Sequence, residues 1–281
     1  MASHALLLGR FTEREIFARF SGSALGFLWA LIGPLLLLAI YSFIFGQLFQ
    51  QRLGDLGTES YTLFVAIALW PWMMFSDGVL RAMQSIQVNA SLVKKVAFPH
   101  LLLVLASING VFLLHLLGYV SVLAALAVAG APIRIAGIPL VFMTIATLYF
   151  VALGVGAILA ALQTLLRDVE QAVTPAIMML HYLTPVLYPL TLIPREYRHW
   201  LAWNPLAYIM QRLRDGLLLG GESSSAISAC CLSALWWRYS ALFSLRGSHR
   251  ISKIFSNTPA SRVHTPSSAA FNAAASSSTR L

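Results

Sequence analysis

Two carboxylates lie where carboxylates are costly. Asp77 falls at the end of an apolar run, four residues before Arg81, and Asp168 borders another run directly after Arg167. An ionisable group at membrane depth either marks an ion pathway or pairs with a neighbour. Each acid here has an arginine at hand, so a local ion pair is expected at both. No chain of acids follows that could relay protons. His115, inside a further apolar stretch, is expected to be packed or bonded between helices rather than to ligate a metal. The seven histidines are scattered and the two cysteines, Cys230 and Cys231, are adjacent, which gives neither a disulfide framework nor the usual metal-ligand spacing. A phosphate-cradling P-loop needs Gly-x-x-x-x-Gly-Lys-Ser/Thr, whose lysine reaches the phosphates. The three lysines, Lys94, Lys95 and Lys253, are followed by Lys, Val and Ile. No Gly-x-Ser-x-Gly elbow and no His-Glu-x-x-His pair occurs. The chain holds no apparatus for catalysis, so energy for any transport must come from another subunit.

The elements that position these residues are set by where charge is missing. No Asp, Glu, Lys or Arg occurs between Arg19 and Arg52, between Lys95 and Arg134, or between Arg134 and Arg167. A bilayer core about 30 Å thick takes roughly 20 apolar residues as a helix. Only 10% of the 281 residues are charged, too few to solvate a soluble domain of this size. The net charge of +9 does not point to nucleic acid, because the basic residues flank apolar runs and form no solvated stripe. They suit an anionic lipid surface.

The expected fold is an all-α membrane protein: a six-span helical bundle with an N-terminal amphipathic interfacial helix and re-entrant helices before the last span. Residues 1–26 are expected to form the amphipathic part, an ordinary polar leader to the first span being the alternative that periodicity leaves open. Within it 5–24 place Ile16, Phe17, Phe20 and Ala24 on one stripe, with Glu15 and Arg19 as an i,i+4 pair on another. Glu13, Arg14, Glu15 and Arg19 interrupt the apolar region a cleavable signal needs, so the spans themselves are expected to direct insertion. The membrane-spanning body, 27–221, carries spans at about 27–49, 61–80, 101–129, 138–162 and 173–193. Pro34 falls early in the first. Trp70-Pro71-Trp72 is expected to kink or break the second, and Pro175, Pro185 and Pro189 to bend the fifth. In 194–221, with Arg195, Arg198, Arg212, Arg214, Trp200 and Trp203, two half-inserted helices fit better than one span. Asn204-Pro205 reads as a helix start, Asn as cap and Pro at the first helical position.

The leader (Arg10, Arg14, Arg19) and the 81–99 stretch (Arg81, Lys94, Lys95) hold three basic residues each, against one each at Arg52 and Arg134. That bias puts the N-terminus and 81–99 in the cytoplasm. Residues 222–281 change character. A marginal sixth span at about 226–245 holds Arg238 near its middle, at a cost of about 2.5–3.5 kcal/mol, and a low-complexity tail follows from Pro259.

Aromatic residues gather at or near span ends: Tyr41, Phe45, Trp70, Trp72, Phe75, Tyr182 and Tyr188. Two readings remain open. They form an interfacial belt, or their ring faces line a channel in which sugar rings can stack.

Several of these segments together resemble one family. Arg19-Phe20-Ser21-Gly22-Ser23-Ala24-Leu25-Gly26-Phe27-Leu28-Trp29 through Gly33-Pro34 is similar to the approach to the first span of bacterial ABC exporter permeases for polysaccharides, the O-antigen, capsule and teichoic acid group. Trp70-Pro71-Trp72, Asn89 to Pro99, Arg167-Asp168, Thr184 to Pro189, and Asn204-Pro205 with Arg212 or Arg214 follow in the family's order, so that the resemblance covers about 8–220. It implies a permease working as a homodimer in the bacterial inner membrane. Two copies of a separate cytoplasmic ABC ATPase would bind the ATP and Mg2+, none of it held by this chain, and the substrate would be a lipid-linked polysaccharide.

It further implies an ATPase-coupling segment formed by Asn89, Ser91, Leu92, Val93, Lys94, Lys95, Phe98 and Pro99. There Leu92, Val93 and Phe98 would make an apolar knob with Lys94 and Lys95 as its rim. The leader, with Arg19, Ser23, Gly26 and Trp29, resembles the family's gate helix. A permease for a drug or small lipid is the nearest alternative. A membrane-embedded enzyme such as a glycosyltransferase would need clustered acids on a loop. After Glu222 the chain departs from the family, and a reading-frame shift near that point would explain the departure.

Overall fold

Inside hydrocarbon every backbone N–H and C=O must be satisfied within the chain, which makes the long charge-free stretches helices. The computed structural model describes residues 2–22, 26–44, 58–95, 98–166, 168–194, 196–197 and 204–220, and every regular element among them is helical. We number the helices α1 (Ala2–Phe20), α2 (Trp29–Tyr41), α3 (Thr58–Val88), α4 (Ala90–Lys95), α5 (Leu101–Val128), α6 (Ile138–Leu165), α7 (Val169–Leu183) and α8 (Pro205–Leu219). Among the described residues three stretches are long and apolar enough to cross a membrane: Tyr61–Val88, Leu101–Val128 and Ile135–Leu165. At 1.5 Å per residue the 28-residue ones reach about 42 Å. Trp29–Ile44 is a shorter apolar helix. Ser23, Ala24, Phe45, Arg167, Arg195, Arg198, Trp200, Trp203, the expected sixth span at 226–245 and the tail all lie outside the described residues.

The core is built around α3. Its apolar window is 78% buried, against 39% for that of α5 and 28% for that of α6, so α3 is the mast and the other two wrap it. Small residues let the helices close. A Cβ on Gly156 of α6 would press on Ala82 of α3, and one on Gly78 of α3 would touch the Phe112 ring of α5. Pro71 does not break α3, which runs continuously from Thr58 to Val88. A missing N–H and the freed carbonyl before it are tolerable in a helix this enclosed, where neighbours exclude competing conformations.

The proline-rich stretch that follows α7 behaves differently. α7 stops at Leu183, and Thr184 to Pro189 is irregular chain, with Thr184, Pro185, Val186 and Leu187 buried. Buried irregular backbone needs donors, and Arg214 of α8 supplies them. Arg214 is 2% exposed, and its guanidinium donates to Pro185 O (2.7 Å), Val186 O (2.7 Å) and Phe64 O (3.3 Å) while lying 3.5 Å from the Phe64 ring centroid. A buried arginine is tolerable only when its fork is filled in this way. Tyr61 adds a fourth tie by donating to Leu187 O at 2.9 Å.

α8 begins as the sequence predicts. The Asn204 side chain accepts from Leu206 N (3.0 Å) and Pro205 takes the first helical position. It ends at Gly220, whose φ of 72° is the left-handed value that closes a helix without a Cβ penalty. Gly137, at the turn leading into α6, sits so close to Gly216 O of α8 that no side chain fits between them. Beside that contact Arg134 N donates to Leu217 O at 2.8 Å, locking α8 to the start of α6.

Candidate functional site

The segment from Asn89 to Pro99 turns the chain from α3 into α5. Asn89 makes the turn: its carbonyl accepts from Leu92 N and Val93 N, both at 3.0 Å, and its amide Nδ2 donates back to Ser85 O at 2.8 Å. Pro99 O accepts from Leu102 N at 3.0 Å and opens α5. Between these points Ser91 and Lys95 are exposed, Leu92 and Val93 are half-buried, and Lys94 lies in α4. Phe98 is less free than a docking knob would be. Its ring packs on Phe11 of α1 (centroids 5.6 Å apart) and stacks on His100 (5.9 Å).

The same turn is fastened to α1 by a ladder of polar pairs. Arg14 donates from Nη2 to Asn89 Oδ1. Arg81 Nη1 meets Glu15 Oε1 at 3.1 Å, and Arg19 Nη2 meets Asp77 Oδ2 at 3.4 Å. His115 Nε2 of α5 reaches the same Asp77 oxygen at 3.0 Å, so His115 is an interhelix-bonded residue, as expected. The expected partners change, however. Asp77 pairs with Arg19 and His115 rather than with Arg81, and Glu15 pairs with Arg81 rather than with Arg19. The reason is geometric. Glu15/Arg19 and Asp77/Arg81 are both acid-then-base at one-turn spacing, so two antiparallel helices bring each acid against the other helix's base. Partly shielded charges gain more from a partner across a helix contact than from one along a solvated face. α1 also lies along α5, with Glu15 and Ile16 over Gly110, where a Cβ would touch both side chains.

A second polar seam, which the residue pattern does not single out, joins α3 to α6 and α7 near the same turn. Gln84 Nε2 donates to Glu170 Oε1 (2.6 Å) and Gln87 Nε2 to Gln163 O (2.8 Å). The available signal is the i,i+3 spacing of Gln84 and Gln87 at the polar end of an apolar helix. Asp168 stands at the N-cap of α7, where its carbonyl accepts from Gln171 N (3.1 Å) and Ala172 N (3.3 Å).

Of the residues expected for a gate, Ser23 lies outside the described residues. Arg19 is in the ladder, Gly26 opens a short turn of 3-10 helix with φ 47°, and Trp29 is exposed at the start of α2. The aromatic residues divide. Trp70 is wholly buried toward α5, where its indole meets Gly118. Trp72 and Phe75 are buried too (5% and 4% exposed), with the Trp72 ring 5.1 Å from His181 of α7 and 5.9 Å from Phe75. Tyr182 is 68% exposed, Tyr188 donates to its carbonyl at 2.7 Å, and Tyr41 is half-buried. A run of ring contacts therefore leads from buried Phe75 and Trp72 through His181 to exposed Tyr182, and only Tyr182 of these presents its ring outward.

The sequence pattern of the ABC-2 type transporter family matches residues 7–218, the stretch that holds the ladder, the turn and α8. The chain belongs to the ABC-2 type transporter family. This ABC-2 transporter chain is an integral membrane protein built around the three long apolar helices. It is 31% identical to an O-antigen export system permease protein RfbA of Klebsiella pneumoniae, over 79% of this chain and 84% of the relative. To the RfbA protein of Myxococcus xanthus it is 29% identical, over 82% and 88%. It is also 25% identical to a polysialic acid transport protein KpsM of Escherichia coli, over 74% and 79%.

Proposed function

We propose that this ABC-2 transporter chain is the permease subunit of an exporter that moves lipid-linked polysaccharide across the bacterial inner membrane. Two copies would form the conduit, and two copies of a separate cytoplasmic ATPase would bind ATP and Mg2+ and drive it. The substrate class rests on the relatives, which are named for O-antigen export and polysialic acid transport. In this reading the N-terminus and the Asn89–Pro99 turn face the cytoplasm. The region 194–221 re-enters the membrane from the far side, and a sixth span completes the bundle.

One observation supports the mechanism above others. α1 is tied to the turn and to α3 at three successive points, through Arg14–Asn89, Glu15–Arg81 and Arg19–Asp77. A push on the turn by an ATPase would move α1 with it, as a lever coupled by charge-assisted bonds. Ser91 and Lys95 present the surface for that push, while Phe98 passes it on through Phe11. Tyr182, exposed on α7, offers a ring face on which sugars can stack without a fixed register, which suits a moving polymer.

The test uses Ser91→Arg with Lys95→Glu, two exposed positions outside the ladder. Loss of co-purification with the ATPase, at unchanged thermal stability of the permease, is the expected result. Retained binding would refute the docking role. Polysaccharide reaching the cell surface in a complemented permease-null strain would support the substrate class. Restored resistance to a drug without surface glycan would replace it with the drug-permease reading.

A further inference from the structure

A cleft of about 970 Å3 runs between α1 on one side and α5 and α6 on the other, close to the upper end of the range of ligand sites. Its walls include Phe112, Leu113 and Phe142, and its apolar lining is continuous with side chains exposed on the outer faces of α5 and α6. In a helix that crosses a membrane those outer faces meet hydrocarbon, so the cleft opens to lipid rather than to water. Its floor is not wholly apolar. Thr12 is 8% exposed, lines the cleft, and its hydroxyl has no hydrogen-bond partner. Asn109 also lines it. The Asn109 amide oxygen is taken by Tyr149, which donates to it at 2.6 Å, leaving the amide NH2 to donate elsewhere. An unmatched donor buried in apolar surroundings is destabilising unless an acceptor arrives from outside the chain.

We propose that this cleft holds one bilayer glycerophospholipid. Its acyl chain lies against Phe112, Leu113 and Phe142, and its ester carbonyls accept from Thr12 and Asn109. The unmatched Thr12 hydroxyl, with the Asn109 amide on the same lining, decides the class. A glycerol diester carries acceptor oxygens just where its hydrocarbon begins, whereas a polyprenyl tail has none along its length. The lipid would then wedge α1 against α5, beside the ladder that ties α1 to α3. This inference depends on the chain being in a membrane, not on what the transporter exports.

The experiment places the full chain in vesicles of phosphatidylethanolamine and phosphatidylglycerol, doped with phosphatidylglycerol that carries a photoreactive group in one acyl chain. Cross-links are mapped by peptide mass spectrometry. The diester probe should label the cleft peptides around Thr12 and Leu113 several-fold more than the exposed Val120 region of α5. A diether probe of the same chain length, lacking carbonyls, should lose that preference, and Thr12→Val should reduce it by about two- to tenfold, as one hydrogen bond allows. Equal labelling by diester and diether in the unaltered protein would overturn the proposal. So would displacement of the probe by a polyprenyl phosphate but not by unlabelled diester, which would assign the cleft to a carrier lipid instead.

Discussion

The Glu15–Arg81 rung is the place to test whether α1 and α3 move as one body. The two charged atoms are 3.1 Å apart, with the glutamate 21% and the arginine 37% exposed. At an effective dielectric of 20 the attraction at that distance is about 5 kcal/mol. Desolvation of both groups, the ordering of two long side chains and solvent screening of the arginine offset most of it, leaving about 1–2 kcal/mol of net coupling. Glu15→Arg alone both removes that coupling and sets two guanidinium groups against each other, so a loss of about 2–4 kcal/mol is expected. Arg81→Glu should cost a similar amount, and the reciprocal double variant should recover most of it because the geometry is symmetric under exchange. Read as thermal unfolding of the protein in nanodiscs, each kcal/mol corresponds to about 2–4 °C at this chain size. Glycan export, measured in the same four proteins, should follow the same order. If the double variant melts at the sum of the two single losses, with no recovery, the charges do not couple across the helices. The lever reasoning then fails.

Two further outcomes follow from burial. Arg214→Met should lower thermal stability by about 3–5 kcal/mol, because the carbonyls of Phe64, Pro185 and Val186 lose their donor. Arg214→Lys should recover only part of it, since an ammonium does not reproduce the fork, and a methionine variant that melts like the wild type would contradict the role assigned here. Gly137→Ala should sharply reduce the yield of folded protein, as a methyl group would overlap the Gly216 carbonyl and push α8 off α6. Gly154→Ala, at a site with open space around it, is the control that should express normally.

The spacing of charge was enough to determine the class of molecule and two of its long helices. Lengths free of Asp, Glu, Lys and Arg between Lys95 and Arg134, and between Arg134 and Arg167, became α5 and α6 with ends close to those expected. That follows because hydrocarbon forces the backbone to satisfy itself locally, and local structure is what a linear pattern encodes. Asn204-Pro205 as a helix start was legible for the same reason, since a cap involves residues two apart. The family, too, could be recognised from the order of short segments.

Pairing was not legible. Asp77 and Arg81 looked like partners along one helix, yet each found its counterion on α1, 66 residues away for Glu15–Arg81 and 58 for Arg19–Asp77. The choice depends on the packing of α1, which no local rule specifies. The fates of the prolines diverged for a similar reason: α3 carried Pro71 through the centre of the bundle, while the chain after α7 unwound and called on Arg214. The cleft with its unmatched Thr12 hydroxyl exists only because three helices fail to close upon one another. Sequence determined which segments could enter the membrane. Only the packed structure decided which polar groups would meet there, because that is settled by distances between residues far apart in the chain.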